Sequence, residues 1–324
     1  MPDLPAYAFH EKQTLRPFTR EIFARTRISA GLAFSGPSVI RGSLLKVFRR
    51  VAAIRSFVQS ASGPIVLVPT MGALHAGHAA LIDRARRVAG PRGLVIVSIF
   101  VNPTQFGPKE DFSRYPRTLA SDRTVCAAQG ADVIFSPSPT EMYPAGFSTW
   151  VNEESVSASM CGASRPGHFH GVCTVVLKLF TIVLPVAAVF GLKDFQQCMV
   201  IRRMVRDLNV PVRIIAVPTV REPDGLALSS RNRYLTPEER AQAPVLRSAL
   251  LASREAFRKG ETSPAKLRKL LQQIIATAPI ARVDYLEIRA ADSLANVKTA
   301  TRNTVIALAV FFGKTRLIDN ITLR

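Results

Sequence analysis

The stretch IVLVPTMGALHAGHAALIDRARRVA, residues 65–89, decides the fold that we expect for this chain. It opens with an apolar run, passes through Gly72 and Gly77, and continues with apolar residues at helical spacing. An unbroken apolar run of this length is typical of a parallel strand that is covered on both faces. The stretch therefore predicts a buried strand that leads through a glycine-containing turn into a helix.

The same alternation continues along the chain. Apolar runs that predict further strands lie at 94–103, 131–137, 187–191 and 212–218, and helical spacing recurs over 44–59 and 195–208. Strands that alternate with helices indicate an α/β fold with a doubly wound parallel sheet, whose ligands bind beyond the carboxyl ends of the strands. We assign this first domain to residues 46–219.

The pattern changes after Val220. Residues 236–239, TPEE, have the form of a helix N-cap, a proline at the first helical position and a capping-box glutamate. This helix is predicted to run to about Lys259, and Ser263-Pro264 opens a second helix in the same way. Strands are predicted within 283–288 and 304–312. Residues 220–324 are therefore expected to form a smaller α+β domain.

Residues 1–45 differ from the rest of the chain. They contain several arginines and hydroxyl residues, and their acids are Asp3, Glu11 and Glu21. That composition weakly resembles an organelle transit peptide, and a misassigned start or a loosely packed extension explains it equally well. We predict a poorly ordered extension.

Composition excludes several classes of protein. A chain of 324 residues with 48% hydrophobic residues has the composition of a globular protein. Its four cysteines lack CxxC spacing, so they indicate neither a zinc site nor a disulfide framework, which fits a reducing compartment. The apolar run at 174–192 contains Lys178 and Pro185, so we reject a membrane span. The net charge of +20 suits nucleic acid, an anionic membrane or a polyanionic nucleotide, and charge alone does not choose among them.

Two of the five histidines, His75 and His78, stand at the predicted start of the first helix. The glycines beside them allow a ligand to approach the backbone, and a helix amino terminus favours anions. Imidazoles placed there can bind phosphate oxygens. Helix capping is the alternative; a metal pair is less favoured because no third ligand is obvious.

Polar residues also follow the other predicted strands. Amides stand in VNPTQF, a cation and an acceptor in GLKDFQQ, and hydroxyls with a guanidinium in DGLALSSRNRYL. The residues concerned are Asn102, Gln105, Lys193, Asp194, Ser229, Ser230 and Arg231. Each stretch alone also fits an ordinary turn or a solvated basic loop. Together, at strand ends, they favour a site for a phosphate-bearing substrate.

The motifs PTMGALHAGH, SIFVNPTQF, YPRTLASD, SRPGHFHGV, FGLKDFQQ, DGLALSSRNRYL and GKTRLIDN together resemble the pantothenate synthetase family, the ATP-dependent pantoate–β-alanine ligases. The resemblance extends from about Lys46 to the end of the chain. It implies a Rossmann-like first domain of the HxGH nucleotidyltransferase superfamily, a C-terminal domain that acts as a lid, and a cytoplasmic homodimer. It implies neither a membrane nor nucleic acid as the primary partner.

The resemblance also implies a two-step reaction. ATP and pantoate give pantoyl adenylate and pyrophosphate, and β-alanine then displaces AMP to give pantothenate. His75, His78 and Lys193 are the implied catalytic residues, with His78 in the proton-donor position. Gln105, Asn102 and Gln197 would bind pantoate, and Gln105 would also face β-alanine. Mg²⁺ is expected with ATP; its protein ligands are unknown, and Asp122 is a candidate helper.

The ATP site implied by the resemblance consists of three segments. Its residues are Met71, Gly72, Ala73, Leu74, His75, Ala76, Gly77, His78, Gly191, Leu192, Lys193, Asp194, Val220, Leu228, Ser229, Ser230 and Arg231.

Three alternatives stay open at this point. Leu192 stands where the family usually has glutamate, which leaves a degenerate relative without activity as one alternative. Another HxGH nucleotidyltransferase is the second, although the three amides suit a small hydroxy acid better. A nucleic-acid-binding module is the third, but the chain lacks the aromatic motifs of such modules.

Overall fold

The computed structural model describes residues 45–108 and 110–324. The predicted N-terminal extension lies outside them, apart from Leu45. The strands are β1 (Lys46–Phe48), β2 (Ile65–Thr70), β3 (Leu94–Ile99), β4 (Val133–Phe135), β5 (Ala187–Gly191), β6 (Arg213–Val217), β7 (Ala281–Ala290), β8 (Thr304–Phe312) and β9 (Thr315–Thr322).

The helices alternate with the first strands, as the sequence predicts. They are α1 (Val51–Gln59), α2 (Ala76–Ala89), α3 (Leu119–Ala128), α4 (Pro139–Met142), α5 (Cys161–Ser164), α6 (His168–Val183), α7 (Phe195–Asp207), α8 (Pro237–Gln242), α9 (Val245–Arg258) and α10 (Pro264–Ile275). Short 3₁₀ turns cover Pro103–Gln105, Leu192–Asp194 and Ser230–Tyr234.

The first six strands form one parallel sheet in the order β1-β4-β3-β2-β5-β6. From β2 the order continues outward through β3 on one side, while β5 and β6 lie on the other. The strand order therefore reverses between β2 and β5, and the carboxyl end of this junction is where α/β sheets bind ligands. This confirms the predicted α/β fold with a doubly wound sheet.

Alternate residues of the strands enter two different cores. Leu67, Ile96 and Phe190 belong to the core under α6 and α7, whereas Val66 and Val97 belong to the core under α2. Both faces of the sheet are thus covered, which explains why β2 and β3 are apolar without alternation.

The chain after β6 forms a second, antiparallel sheet in the order β7-β8-β9, packed against α9 and α10. Leu250, Leu267 and Leu308 are fully buried in its core. The predicted capping box at Thr236 and Glu239 is present at the start of α8. The boundary between two domains at residues 219 and 220 stays a prediction.

The predicted helix over 44–59 was wrong in its first part. Residues 46–48 form the edge strand β1, which pairs with β4, and α1 begins only at Val51. The ring of Phe48 packs on Phe57 across the turn between them. Because Leu45, Val47 and Phe48 fit either periodicity, their spacing could not separate strand from helix.

The predicted helix from 236 to 259 is two helices. It breaks around Pro244, which supplies no N–H for helical bonding and stands directly before α9. Helix α3 and strand β9 were not predicted from the sequence.

In the part of the chain that the structure describes, no helix is both long and apolar enough to cross a membrane.

Candidate active site

The turn after β2 is held by a buried carboxylate. Asp122 of α3, 1% exposed, accepts hydrogen bonds from the backbone N–H groups of Ala73 (3.2 Å) and Leu74 (2.8 Å). Gly72 and Ala73 both have positive φ angles, and a side chain at Gly72 would meet Asp122. Asp122 therefore fixes a strained turn, which speaks against the metal-helper role considered for it.

His75 and His78 follow this turn at the start of α2. The Nδ1 atom of His75 accepts a hydrogen bond from the N–H of Gly77 (3.1 Å), and Nδ1 of His78 accepts one from the N–H of His75 (3.3 Å). Each Nδ1 is thus an acceptor, so each neutral ring carries its hydrogen on Nε2. The histidines cap the helix and still retain one N–H donor each for a ligand.

Both imidazoles are neutral at physiological pH. Burial and the charge of Lys193 lower the pKa of His75 from 6.5 to about 4. Burial, His75 and Lys193 lower the pKa of His78 from 6.5 to about 3. The ring centroids lie 4.2 Å apart, so protonation of one ring disfavours protonation of the other. The pair can donate hydrogen bonds without becoming charged.

These lowered pKa values make folding stability depend on pH. Below about pH 6.5 the two imidazoles are protonated in the unfolded chain, but in the folded chain they stay neutral until the pH approaches their lowered pKa values. We therefore expect their contribution to the free energy of unfolding to be fully present above about pH 6.5 and to be lost as the pH decreases toward about 4. Urea unfolding should show a smaller loss between about pH 7.5 and about pH 5 for His78→Asn than for the wild type. An equal loss in both proteins would contradict this assignment.

Lys193 lies in the 3₁₀ turn directly after β5. Its ammonium nitrogen is 3.7 Å from Asp194 Oδ2, and its side chain is 21% exposed. Leu192, which stands where the resemblance suggests glutamate, packs against the core beneath α6 and α7. The side chain of Leu192 thus adds a partly buried apolar contact to that core, while Lys193 stays partly exposed.

Gln105 is oriented by Asn102. The Nδ2 group of Asn102 donates to Gln105 Oε1 (3.2 Å) and to the carbonyl of Gly171 (3.1 Å), and its Oδ1 accepts from Tyr143 (2.9 Å) and Thr104 (2.9 Å). Asn102 is 1% exposed. Its hydrogen-bonding groups are therefore all engaged within the protein. Gln105 accepts from Asn102 through Oε1 and donates one Nε2 hydrogen to Met71 Sδ (3.1 Å), so its second Nε2 hydrogen is the one that a ligand could accept.

A second chain of contacts supports the backbone of Gln105. His168 Nδ1 donates to the Gln105 carbonyl (2.9 Å), and its Nε2 accepts from Arg165 (3.1 Å). Arg165 forms a two-point ion pair with Glu110 at 2.6 and 2.7 Å. Burial and the charge of Arg165 lower the pKa of His168 to about 4, so this ring is neutral as well.

The segment Ser230–Tyr234, called the closing segment below, lines the site through Ser230 and Arg231. Arg231 forms a two-point ion pair with Asp111 at 2.8 and 3.1 Å, and Ser230 lies within hydrogen-bonding distance of the Tyr115 hydroxyl (3.3 Å). Burial is the largest single influence on the pKa of Arg231 and lowers it, but the hydrogen bonds to Asp111 and the negative charges around the guanidinium together raise it above its usual value. The guanidinium is therefore a fixed positive charge.

Most of the predicted site residues line one cavity of about 220 Å³. They are Met71, His75, Gly77, His78, Asn102, Gln105, Gly191, Lys193, Asp194, Gln197, Val220, Leu228, Ser229, Ser230 and Arg231. Gly72, Ala73, Leu74, Ala76 and Leu192 do not line it; the first three form the supporting turn. A larger cavity of about 920 Å³ shares the predicted residues Lys193, Asp194, Gln197, Ser229 and Arg231 with it.

The cavity also contains residues without a predicted role, and Tyr115, Arg165 and His168 are the ones among them with ionisable side chains. They belong to YPRTLASD and SRPGHFHGV, which contributed to the family resemblance but gave these three residues no role. Their position in these family motifs was the sequence signal by which they could have been predicted as site residues. Within the described residues, no group of three or more His, Cys, Asp or Glu side chains could hold a metal ion.

Comparison with known proteins identifies the family of the chain. The family model for pantoate-beta-alanine ligase matches residues 46–322. A pantothenate synthetase of Moorella thermoacetica is 51% identical over 282 residues, which cover 86% of this chain and 99% of the relative.

Two solved structures are similar over the same share of the chain. The crystal structure of pantothenate synthetase from Thermus thermophilus has a TM-score of 0.82 and 47% identity, covering 86% of this chain and 99% of that one. The pantoate-beta-alanine ligase of Francisella tularensis, complexed with beta-gamma ATP and beta-alanine, has a TM-score of 0.69 and 34% identity, covering 86% and 98%.

Proposed function

Because the chain belongs to the pantoate-beta-alanine ligase family, we propose that it works through a pantoyl adenylate in the cavity described above. It is an ATP-dependent ligase of pantoate and β-alanine. The observation that carries this proposal is that His75, His78, Lys193, Arg231 and Gln105 line one cavity. The cavity thus combines cationic and N–H donor groups with amides, as an enzyme requires that transfers the adenylyl group of ATP to the carboxylate of a hydroxy acid.

We propose that ATP lies across the carboxyl ends of β2 and β5. The Nε2–H groups of His75 and His78 would donate to phosphate oxygens, since both Nδ1 atoms are engaged by backbone N–H groups. Lys193 and Arg231 would supply positive charge, and Ser229 and Ser230 would add hydroxyl donors from the closing segment. Val220 would contact the adenine side.

We propose that pantoate occupies the apolar side of the same cavity. Val172, Val175, Val176, Leu179 and Phe100 line that wall. Gln105 and Gln197 would bind its polar groups, and Asn102 would act by orienting Gln105 rather than by contact. An apolar wall with few polar groups suits a small branched hydroxy acid.

Gly171 provides a test of the pantoate side. A Cβ atom there would lie 2.7 Å from the backbone nitrogen of Gln105 and would also clash with the Thr104 carbonyl. We therefore expect Gly171→Ala to displace Gln105 and to raise the KM for pantoate by roughly tenfold, with a smaller effect on the KM for ATP. Steady-state kinetics measures both.

Gly107→Ala is the matched control for Gly171→Ala. Its added Cβ would meet Glu110 at 3.7 Å, an ordinary contact, so the KM for pantoate should stay close to that of the wild type. Equal changes in the two KM values of Gly171→Ala would show that the glycine has no particular connection with pantoate.

The chemistry that we propose needs no nucleophilic side chain. A pantoate carboxylate oxygen attacks the α-phosphorus, and pyrophosphate leaves. The β-alanine nitrogen then bonds to the acyl carbon while the bond to AMP breaks. His75 and His78 cannot serve as bases through Nδ1, because both atoms already accept hydrogen bonds. They would instead stabilise the charge that develops on phosphate oxygens.

We propose that Mg²⁺ enters as part of the MgATP substrate. The described residues offer no cluster that could hold a resident metal ion. Asp122 and Asp111 are engaged by backbone N–H groups and by Arg231, respectively. Asp194, with a 46% exposed side chain, would face the water shell of the metal.

We also propose a cytoplasmic homodimer, as the resemblance implies. Light scattering of the purified protein should give twice the mass of one chain at micromolar concentration. A monomeric mass at that concentration would overturn the homodimer without affecting the proposed chemistry, because every proposed site residue comes from one chain.

Pyrophosphate release by the purified protein tests the function. With ATP, Mg²⁺ and pantoate, pyrophosphate should appear, and pantothenate should form only after β-alanine is added. Mononucleotide substrates of other HxGH nucleotidyltransferases should not replace pantoate. If no pyrophosphate is released, the alternative of a degenerate relative gains support, and Leu192→Glu would show whether the missing carboxylate is the cause.

A further inference from the structure

The motif GKTRLIDN at residues 313–320 has no role in the function proposed so far. Its last two residues, Asp319 and Asn320, lie near the end of β9, far from the HxGH motif in sequence. Burial alternates along this strand, with Asp319 on the buried face and Asn320 on the other. Adjacent side chains of a strand point to opposite faces, so this pair can reach two different segments.

Asn320 reaches the lysine turn after β5. Its Nδ2 group donates to the carbonyl of Leu192 (2.9 Å) and to the carbonyl of Lys193 (3.0 Å). A side-chain amide has two N–H donors, and both are used on consecutive carbonyls. The turn is thereby fixed through its backbone. This explains how the turn is held in a chain that has Leu192 instead of an acidic side chain.

Asp319 reaches the base of the closing segment. It is 3% exposed and forms a two-point ion pair with Arg221 at 2.7 and 2.8 Å. Arg221 also donates to the carbonyl of Gly225 (3.0 Å), and its backbone forms a bridge with Ala227. These contacts hold the turn that leads to Ser229, Ser230 and Arg231.

The two anchors are themselves connected. The backbone N–H of Asn320 donates to Asp319 Oδ1 at 2.8 Å. One dipeptide of the C-terminal sheet therefore sets the distance between two segments that face the same cavity. Lys193 comes from one of these segments and Arg231 from the other.

We propose that Asn320 is a positioning residue for Lys193, and that with Asp319 it keeps the two phosphate-facing segments in register. This inference rests on the proposed function, because it assigns Asn320 an effect on ATP through Lys193. Asn320 does not itself touch the reacting atoms. Its loss should misplace the ammonium group while leaving the pantoate wall intact.

A double-mutant cycle tests this inference. Asn320→Leu retains the approximate size of the side chain but has no N–H donor, and Asn320→Ala serves if the leucine variant does not fold. We expect either to lower kcat for pantoate-dependent ATP–pyrophosphate exchange about tenfold, with little change in the KM for pantoate. In a Lys193→Ala background the same substitution should have almost no further effect on kcat or on the dissociation constant for ATP.

Thr322→Val is the matched control, since Thr322 is the next residue on the same face of β9 and lines neither cavity. It should leave exchange unchanged. If the effects of Asn320→Leu and Lys193→Ala multiply, the role is merely structural and the inference is overturned while the proposed function stands. A wild-type protein without pantoate-dependent exchange would overturn both.

Discussion

Replacing Lys193 with alanine is expected to lower kcat for pantoate-dependent ATP–pyrophosphate exchange by roughly 10³-fold. Lys193 projects from the turn at the point where the strand order reverses, between the histidines after β2 and the closing segment. An ammonium there would neutralise charge that builds up on the phosphates in the transition state. Because that charge is greater in the transition state than in bound ATP, the loss should appear mainly in kcat.

Exchange kinetics with varied ATP and varied pantoate measures the effect of Lys193→Ala. Lys266→Ala is the control, since Lys266 is an exposed partner of Glu261 at 3.3 Å, outside both cavities. Lys193→Arg should restore only part of the rate, because a guanidinium is planar and longer than an ammonium. A variant Lys193→Ala that keeps full kcat and only raises the KM for ATP would show that the lysine merely binds the nucleotide.

The part of the fold that could be predicted from sequence depends on local patterns. Residues 65–89 form a strand, a turn and a helix, and consecutive residues show this pattern: an unbroken apolar run for the strand and apolar residues at helical spacing for the helix. The edge strand β1 could not be predicted in the same way. Its three residues, 46–48, gain their strand conformation from pairing with β4, which is distant in the chain.

The candidate site shows the same division. The motifs predicted that His75, His78, Lys193 and Arg231 lie together, because each follows a predicted strand or belongs to the closing segment. In the structure all four line one cavity. The structure added the groups that hold them. The carboxylate of Asp122 lies 48 residues from Leu74 in sequence and 49 from Ala73, and no local pattern connects them.

Long-range support of this kind also explains the different parts played by Asn102 and Gln105. Both amides follow β3, and the sequence predicted pantoate binding for both of them. In the structure, every hydrogen-bonding group of the Asn102 side chain is engaged within the protein. Gln105 contacts Asn102 and Met71, and its second Nε2 hydrogen is the one that a ligand in the cavity could accept. Which of two neighbouring amides binds a ligand is thus decided by residues that tertiary folding brings to them.

His78 allows its two hydrogen bonds to be separated by substitution. Its Nδ1 accepts from the backbone N–H of His75, and its Nε2–H is the donor that we assign to phosphate. The amide of asparagine can replace Nδ1, and the longer amide of glutamine can replace Nε2. The two variants should therefore lose different properties.

His78→Asn is expected to keep the helix cap and a melting temperature close to that of the wild type, yet to lower kcat for adenylation by roughly 10²-fold through loss of the phosphate donor. His78→Gln should retain more of the rate and lose stability by about 1 kcal/mol, because the cap is removed. Exchange kinetics and thermal unfolding of both variants measure the two effects separately. If both variants lose rate and stability in parallel, the capping and phosphate-binding functions of His78 cannot be separate. A wild-type rate in His78→Asn would remove this imidazole from the chemistry and leave His75 and Lys193 to stabilise the transition state.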